Sequence, residues 1–480
     1  MKHTLLTALA LCLLLPLGAQ EQTELLTLDE ALALTLENNP AMKALEHEER
    51  AAEQERRAAI GLRMPQITVA GAYAYMGKDI GIDANGLKTP VNGLLGQLGS
   101  HLPAELLPVI GQLTAPIMGA DWGLTVQDRS FGFVGGEVMM PIWMGGKINA
   151  ANRAARITES STRAQGNQTR NALISELVER YFGVSLARQV VSVREQVVRG
   201  VRSHLDDAAA LERNGMLARA DLLYVEFKME EAERELSNAQ LQLETLRAAL
   251  GNTLGGAAET EPEPATALFV LREMEGLDFF RREAAGRNPL LEQVALKRDL
   301  AHEGVRAQRA DFLPQVVAVG GGSFYNYQVT DLLPRWAVGV GVSLKIFNGL
   351  NREYKYSAAK QTLLRVEQLE RKASADVGVL VEKLYNQMLH YGNQLSSIEA
   401  SLAFAEEYLK SKEAAFREGM CPSSELIDAE LNLAKVRTER LQAAYQYDVL
   451  LAQLLEAAGM SDQFPLYARR ADAEPIVFSK

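Results

Sequence analysis

The sequence predicts a membrane protein of the α+β class that is built from two tandem structural repeats. Three observations lead to this fold class. Short motifs recur in the same order in the two halves of the chain, each half holds about 66 residues of uninterrupted helical pattern, and four segments alternate in hydrophobicity over the length of a membrane strand. The chain has 480 residues and a net charge of −11, which disfavours a phosphate-binding surface and therefore nucleic acid as a partner.

The first 19 residues have the features of a secretory signal peptide. Lys2 and His3 precede an apolar run at residues 5–17, and Gly18 and Ala19 offer small residues for cleavage. The run is too short to cross a bilayer, and no later stretch holds 18 consecutive apolar residues. We therefore expect an exported protein in which any membrane-crossing segment is a β-strand.

The repeat is visible as four pairs of matching motifs. The matched segments are residues 39–40 and 288–289, 64–66 and 313–315, 142–145 and 346–349, and 213–216 and 417–420. The first two pairs are 249 positions apart and the last two are 204 apart, so the first half carries 45 additional residues. We place them within 77–125, a stretch rich in Gly, Pro and Leu that shows almost no periodicity and is interpreted as a surface loop.

These matches define the domain boundaries. The signal peptide is 1–19, the first repeat is 20–250, a linker follows at 251–276, the second repeat is 277–459, and the tail is 460–480. After an initial helix, the first repeat has strands at 66–76 and 130–143, with the insertion between them, and helices at 148–213 and 217–250. The second has an initial helix, strands at 315–327 and 335–347, and helices at 352–417 and 422–458.

The long helix of each repeat carries a heptad pattern. No proline interrupts residues 148–213, and 66 residues of helix would be roughly 100 Å long. Sustained heptads pack helices side by side, so a coiled-coil stalk would also explain this region taken alone. The residues that recur every seven positions are Leu177, Val184, Val191, Val198 and Leu205 in the first repeat and Val381, Met388, Leu395, Leu402 and Leu409 in the second.

The strands indicate a membrane sheet that needs partners. Residues 336–346 alternate between apolar and small or polar side chains, and a tilted transmembrane strand has about 9–11 residues. A soluble antiparallel sheet with one wet face would give a similar pattern. Four strands cannot close a barrel, and open edges are not tolerated in lipid, so membrane insertion would require oligomers. Two copies would give eight strands and three would give twelve; geometry alone does not choose.

Taken together, the leader sequence, the duplicated motifs, the four strands and the long helices resemble those of TolC-type outer-membrane efflux proteins, over about residues 25–460. The resemblance implies a homotrimeric 12-stranded β-barrel in outer-membrane lipid, with four strands per subunit, continued by a long periplasmic α-helical barrel. It also implies a passive exit duct of a tripartite efflux or type I secretion system, which docks a periplasmic adaptor and, through it, an inner-membrane pump. The insertion at 77–125 departs from this pattern; it is interpreted as a surface loop or as a fold over the barrel mouth, and its role is open.

The two turns after the long helices are candidate contact surfaces. Gly215 and Gly419 supply the permissive backbone that reverses the chain, and Pro422 can start the following helix. An ordinary helix-hairpin turn would explain the same residues. The resemblance implies that these tips close the tunnel and meet the adaptor, and the residues it assigns to that contact are Asn214, Gly215, Met216, Glu418, Gly419 and Met420.

Acidic residues just inside the turns are the candidate gate. Glu425 and Asp428 are three positions apart and share one helix face, which a solvated surface would also explain. The resemblance places them in acidic rings at the closed tip, where threefold symmetry sets six carboxylates around a narrow opening and crowding raises their pKa values. The first repeat contributes Asp221, but Tyr224 stands where its second acid would be. Some relatives latch the tip with an aromatic residue and an arginine; the matching positions here are Phe416 and Cys421, with Arg417 close by.

No catalytic or cofactor-binding constellation is found, so no enzyme activity, metal or cofactor is expected. Gly145, Gly146 and Lys147 lack the Ser or Thr of a phosphate-binding loop, and His47 has no second histidine at zinc-motif spacing. Two functions remain open on the sequence alone: a passive exit duct, and a soluble periplasmic coiled-coil scaffold or adaptor. The exported substrate and the class of pump cannot be read from the sequence.

Overall fold

The computed structural model describes residues 25–100, 107–256, 262–332 and 334–478, so the predicted signal peptide lies outside the described residues. The chain divides into two compact units. The first is formed by the described residues of Met1–Glu55, Arg156–Ala301 and Thr362–Lys480, and the second by those of Arg56–Ala155 and His302–Gln361.

Helices account for most of the described chain. In order they are α1 (Leu28–Asn38), α2 (Pro40–Gly61), α3 (Lys88–Gly99), α4 (Leu107–Gly119), α5 (Lys147–Arg213), α6 (Arg219–Thr253), α7 (Leu277–Arg287), α8 (Pro289–Ala310), α9 (Asn351–Arg417), α10 (Ser423–Ala457) and α11 (Phe464–Ala468). The long helices α5 and α9 have 67 residues each. Among the described residues, no helix combines the length and the apolar character that crossing a membrane would require.

The described residues also form ten strands. They are β1 (Leu25–Leu26), β2 (Gln66–Tyr75), β3 (Ile80–Asp83), β4 (Gly123–Gln127), β5 (Ser130–Met144), β6 (Glu263–Pro264), β7 (Leu268–Leu271), β8 (Gln315–Tyr327), β9 (Trp336–Ser343) and β10 (Ala473–Ile476). The fourth long strand ends at Ser343 and not at residue 347 as predicted. Ser343 pairs with Gln315, the first residue of β8, and Pro314 before it has no N–H with which to extend the ladder.

The insertion at 77–125 is not a loop throughout, which corrects the expectation. It holds the antiparallel hairpin β3–β4 and the helices α3 and α4. The apolar residues of α3 recur at the helical spacings of three, four and seven, and they are Val91, Leu94, Leu95 and Leu98. This helical pattern covers only a short segment, and glycines interrupt it.

The hydrophobic core of the first unit is formed along the heptad seams and around an aromatic cluster. Leu177, Val184, Val381 and Met388, all heptad positions, are buried. Where α5 meets β7 and α11, the rings of Phe182, Phe269 and Phe464 lie with centroids 6.0 to 6.1 Å apart. Such aromatic contacts contribute about 0.5–1.5 kcal/mol per pair beyond the burial of their area.

The duplicated Asn-Pro motifs join pairs of helices in the first unit. The Nδ2 of Asn39 donates to the carbonyl of Thr253, the last residue of α6, and its Oδ1 accepts from the N–H of Ala41 at the start of α2, both at 2.8 Å. Asn288 does the same in the second repeat: its Nδ2 donates to the carbonyl of Ala457 at 2.8 Å. Each buried amide thus caps the end of one helix and the beginning of another.

The second unit is organised by an antiparallel sheet in the order β2-β5-β8-β9. Residues directly opposite one another across the strands share a face. Ile67, Val138, Gly320 and Val338 form one such row, and Thr68, Glu137, Gly321 and Ala337 form the next. We call the face of the first row the apolar face and that of the second row the small-residue face. Exposed side chains of the apolar face are Ile67, Val69, Tyr73, Met140, Val338, Val340 and Val342.

Candidate functional site

The candidate site lies in the first unit, where α5 turns into α6 and α9 turns into α10. Gly215 and Gly419 have φ values of 70° and 72°, a left-handed conformation that favours glycine. The N–H of Met216 donates to the carbonyl of Leu211, and the N–H of Met420 donates to that of Ala415, both at 2.9 Å. These bonds from the third residue after the helix are the mark of a Schellman motif, which satisfies carbonyls in the last turns of α5 and α9.

All six residues predicted to form the contact surface are exposed, and the two methionines are prominent among them. The side chains of Met216 and Met420 are 68% and 75% exposed. Asn214, Gly215, Glu418 and Gly419 surround them on the two turns. Because Met is flexible and polarisable, the pair offers an adaptable apolar contact at each tip.

Glu425 is exposed in the first turn of α10 and forms an ion pair with Lys412 of α9. The hydrogen bond from Lys412 lowers the pKa of Glu425, and the same contact raises the pKa of Lys412. Within one chain, therefore, Glu425 is ionised and its charge is offset. Sequence reasoning missed Lys412, although it lies seven positions before Gly419 and Glu425 lies six positions after it, a spacing at which antiparallel helices bring residues together.

Cys421 lies behind this ion pair. Its side chain is buried, and its Sγ is 3.7 Å from Oε2 of Glu425. Burial, helped by the negative charge of Glu425, raises the pKa of the Cys421 thiol, so the group is a poor nucleophile. Among the residues that the structure describes, no group of three His, Cys, Asp or Glu side chains is arranged to hold a metal ion.

Asp428, one turn further along α10, faces the first repeat. Its Oδ1 lies 3.5 Å from the hydroxyl of Tyr224, the residue at the equivalent position in α6. Lys228 is close enough for Asp428 to add to the rise in its pKa, which is caused chiefly by a hydrogen bond to Glu231. The repeat thus pairs an acid with a tyrosine at matching positions. Asp221 is exposed in the first turn of α6, where a negative charge stabilises a helix N-terminus.

The two possible latch residues, Phe416 and Arg417, differ in their surroundings. Phe416 is half-buried, and its ring packs edge-on against that of His204 in α5, with centroids 6.2 Å apart. Nε2 of His204 in turn lies 3.3 Å from Oε2 of Glu430 in α10. Arg417 is exposed, and its guanidinium is 3.7 Å from Glu413 of its own helix. Phe416 therefore joins neighbouring helices, whereas Arg417 remains available at the surface.

The chain has similar sequences and structures among known proteins. The alkaline protease secretion protein AprF of Pseudomonas aeruginosa is 23% identical over 328 residues, which cover 65% of this chain and 66% of AprF. The cobalt-zinc-cadmium resistance protein CzcC of Cupriavidus metallidurans is 25% identical over 341 residues, covering 68% of this chain and 75% of CzcC. The chain thus spans slightly less than two thirds of the length of AprF.

Similarity in structure extends over more of the chain. The crystal structure of the outer membrane protein VceC from Vibrio cholerae superposes with a TM-score of 0.69 and 13% sequence identity, and the match covers 90% of this chain and 96% of VceC. At this identity the likeness establishes the fold. The sequence model of the family described as outer membrane efflux protein matches residues 128–256 and 281–460. This match confirms the resemblance seen in the motifs, and the chain belongs to the outer membrane efflux protein family.

Proposed function

We propose that the chain is one third of a passive exit duct in the outer membrane of a diderm bacterium. The observation that carries this proposal is the four-stranded sheet, which leaves an apolar face exposed and in which β2 and β9 are edges that no other described strand pairs with. An open edge is not tolerated in lipid, because every backbone N–H and C=O needs a partner there. Pairing β9 of one copy with β2 of the next satisfies both edges and closes a barrel.

Three copies suit a duct better than two. Eight strands enclose a space that side chains nearly fill, whereas twelve strands leave an open lumen. The small-residue face carries mostly Gly, Ala, Ser and Thr, with larger side chains at Met139 and Val319, and leaves such a lumen wide when it points inward. The apolar face then contacts lipid, as the alternation of membrane strands requires. The long helices of the three copies form the tunnel through the periplasm.

The duct has no energy source of its own in this proposal. A periplasmic adaptor docks at the tips through the exposed residues around Met216 and Met420, and an inner-membrane pump supplies the work. AprF and CzcC are named for protease secretion and for cobalt, zinc and cadmium resistance, so relatives of this chain are associated with very different cargoes. Efflux and type I secretion both suit the chain, since a wide aqueous lumen selects weakly.

The test of this proposal is the state of the protein in its native membrane. We expect it to fractionate with the outer membrane, to run as a heat-sensitive trimer, and to conduct ions in a planar lipid bilayer. A soluble coiled-coil scaffold would remain in the periplasmic fraction and would not conduct. A soluble or monomeric native protein would refute the duct.

The gate of the duct is proposed at Glu425 and Asp428, with Asp221 from the first repeat nearby and Phe416 and Arg417 as latch residues. Replacing both acids, as Glu425→Ala with Asp428→Asn, is expected to weaken block by divalent cations about fivefold or more. The reason is that each unit charge beside the opening contributes about 1 kcal/mol to cation binding in water. Single-channel recording at increasing Mg²⁺ concentration measures the block.

Lys412 provides the matched control for the gate. Lys412→Met removes the internal counter-ion of Glu425, so block should become stronger and not weaker. If block by Mg²⁺ is unchanged both in the double variant of Glu425 and Asp428 and in Lys412→Met, these carboxylates lie away from the narrowest point of the duct.

A further inference from the structure

Glu137 is a charged residue in an unusual position, at the centre of β5. It is the eighth of the 15 residues of the strand, and β2, β8 and β9 contain no charged residue. Its neighbours across the strands are Thr68 and Gly321, and Ala337 stands beyond Gly321. None of these side chains carries a charge that could offset the carboxylate.

The face on which Glu137 stands is the small-residue face. Val138, the next residue, belongs to the apolar face and pairs with Ile67 and Gly320. A carboxylate at the middle of a lipid-facing surface is strongly disfavoured, so the position of Glu137 also indicates which face of the sheet meets water.

A hollow of about 500 Å³ lies against the same face. Glu137, Thr68, Gly321, Ser323 and Ala337 contribute to its lining. Phe133 and Asn326 also line the hollow, and the space between the side chains stays open. Arg335 also lines the hollow, but its guanidinium lies 3.9 Å from the carboxylate of Asp331. The Glu137 carboxylate therefore faces open space and not a packed interior.

We propose that Glu137 and its two symmetry mates form a ring of three carboxylates inside the β-barrel, which makes the membrane section of the duct selective for cations. The inference rests on the proposed trimer and adds to it a second selective section, separate from the gate. Each strand β5 would contribute one charge at the same height, because threefold symmetry repeats the position. The cross-strand neighbours Thr68 and Gly321 are small and uncharged, so they leave the carboxylate open to the lumen.

Reversal potentials under a KCl gradient test the ring. Relative to the wild type, Glu137→Gln should lower the ratio of K⁺ to Cl⁻ permeability by about threefold or more, and Glu137→Lys should lower it further. The shift should shrink in 1 M KCl, where the Debye length is about 3 Å. Thr68→Ala, a change on the same face without loss of charge, should leave the ratio unchanged.

To separate the effect of the ring on selectivity from that of the gate, the reversal potentials are measured again in a protein that also carries Glu425→Ala and Asp428→Asn. The effect of Glu137→Gln should persist in that background. A second measurement uses Glu137→Cys in a chain that also carries Cys421→Ser: a charged thiol reagent that cannot cross membranes should alter the current.

The outcomes distinguish the two proposals. A wild-type protein that forms no channel would refute the duct itself. Channels whose selectivity is the same in the wild type, Glu137→Gln and Glu137→Lys would refute the ring and leave the duct standing, and so would a Cys at position 137 that the reagent does not modify in conducting channels.

Discussion

Alanine at Gly459 is expected to destabilise the protein by about 3 kcal/mol or more. Gly459 follows α10 with a φ of 72°, and a Cβ added there would lie only 2.3 Å from the carbonyl oxygen of Arg287. That oxygen belongs to the backbone and cannot rotate away. The residue after it is Asn288, whose side chain caps α10 at Ala457, so relief of the clash would also pull this cap apart.

Gly419 offers a matched control for this prediction. It too has a φ of 72°, but a Cβ there would meet nothing within 4 Å. Gly419→Ala should therefore lose only the cost of a left-handed alanine, about 1–2 kcal/mol. The midpoints of thermal unfolding, followed by circular dichroism on the purified proteins, compare the two variants. Equal unfolding midpoints for the two variants would mean that the backbone around Gly459 and Asn288 can move apart without loss of stability.

The helices could be predicted from the sequence because their signals are local. Gly215 and Gly419 lie where a helix must end, and heptad residues such as Leu177 and Val381 define the buried seam. The insertion was harder, because the helical spacing of Val91, Leu94 and Leu98 covers only two turns and is interrupted by glycines.

The chemistry of the candidate site depended on contacts between helices, which a single sequence displays poorly. The pairing of Lys412 with Glu425 could have been found by counting outward from the turn. Glu137 could have been found as the lone charge within an alternating strand. The contact of Tyr224 with Asp428 joins the two repeats, and only the packed structure reveals that equivalent positions face each other.

Asp448 is the lone charged residue between Arg440 and Glu456 and lies seven positions from both Leu441 and Leu455, so its place on the buried side of α10 could also have been inferred. It is completely buried, its Oδ2 accepts a hydrogen bond of 3.2 Å from the N–H of Phe269, and its Oδ1 has no partner among the described residues. Burial raises the pKa of this carboxyl well above its ordinary value, and the bond from Phe269 opposes the rise only partly.

A raised pKa in the folded state sets the sign of the pH dependence. Asp448 keeps its proton when folded but loses it when unfolded, so unfolding becomes easier as pH rises above the unfolded pKa of about 3.9. The loss is about 1.4 kcal/mol for each pH unit until the folded-state pKa is reached. This contribution is fully present only in acid.

Asp448→Asn should therefore stabilise the protein, and the gain should grow as the pH is raised. The amide has no proton to lose, and its oxygen can still accept the hydrogen bond from Phe269. The midpoints of thermal unfolding of the variant and the wild type should be similar near pH 4 and should separate progressively as the pH is raised above the unfolded pKa of about 3.9. Asp472→Asn is the control of opposite sign, because a hydrogen bond from Arg470 lowers the pKa of Asp472. The stabilisation that Asp472 provides is present above its unfolded pKa and is lost as pH falls through the lower folded value. That variant should be the less stable one at neutral pH, and its difference from the wild type should close in acid. A gap between Asp448→Asn and the wild type that stays constant with pH would show that Asp448 ionises in the folded protein as it does in the unfolded chain.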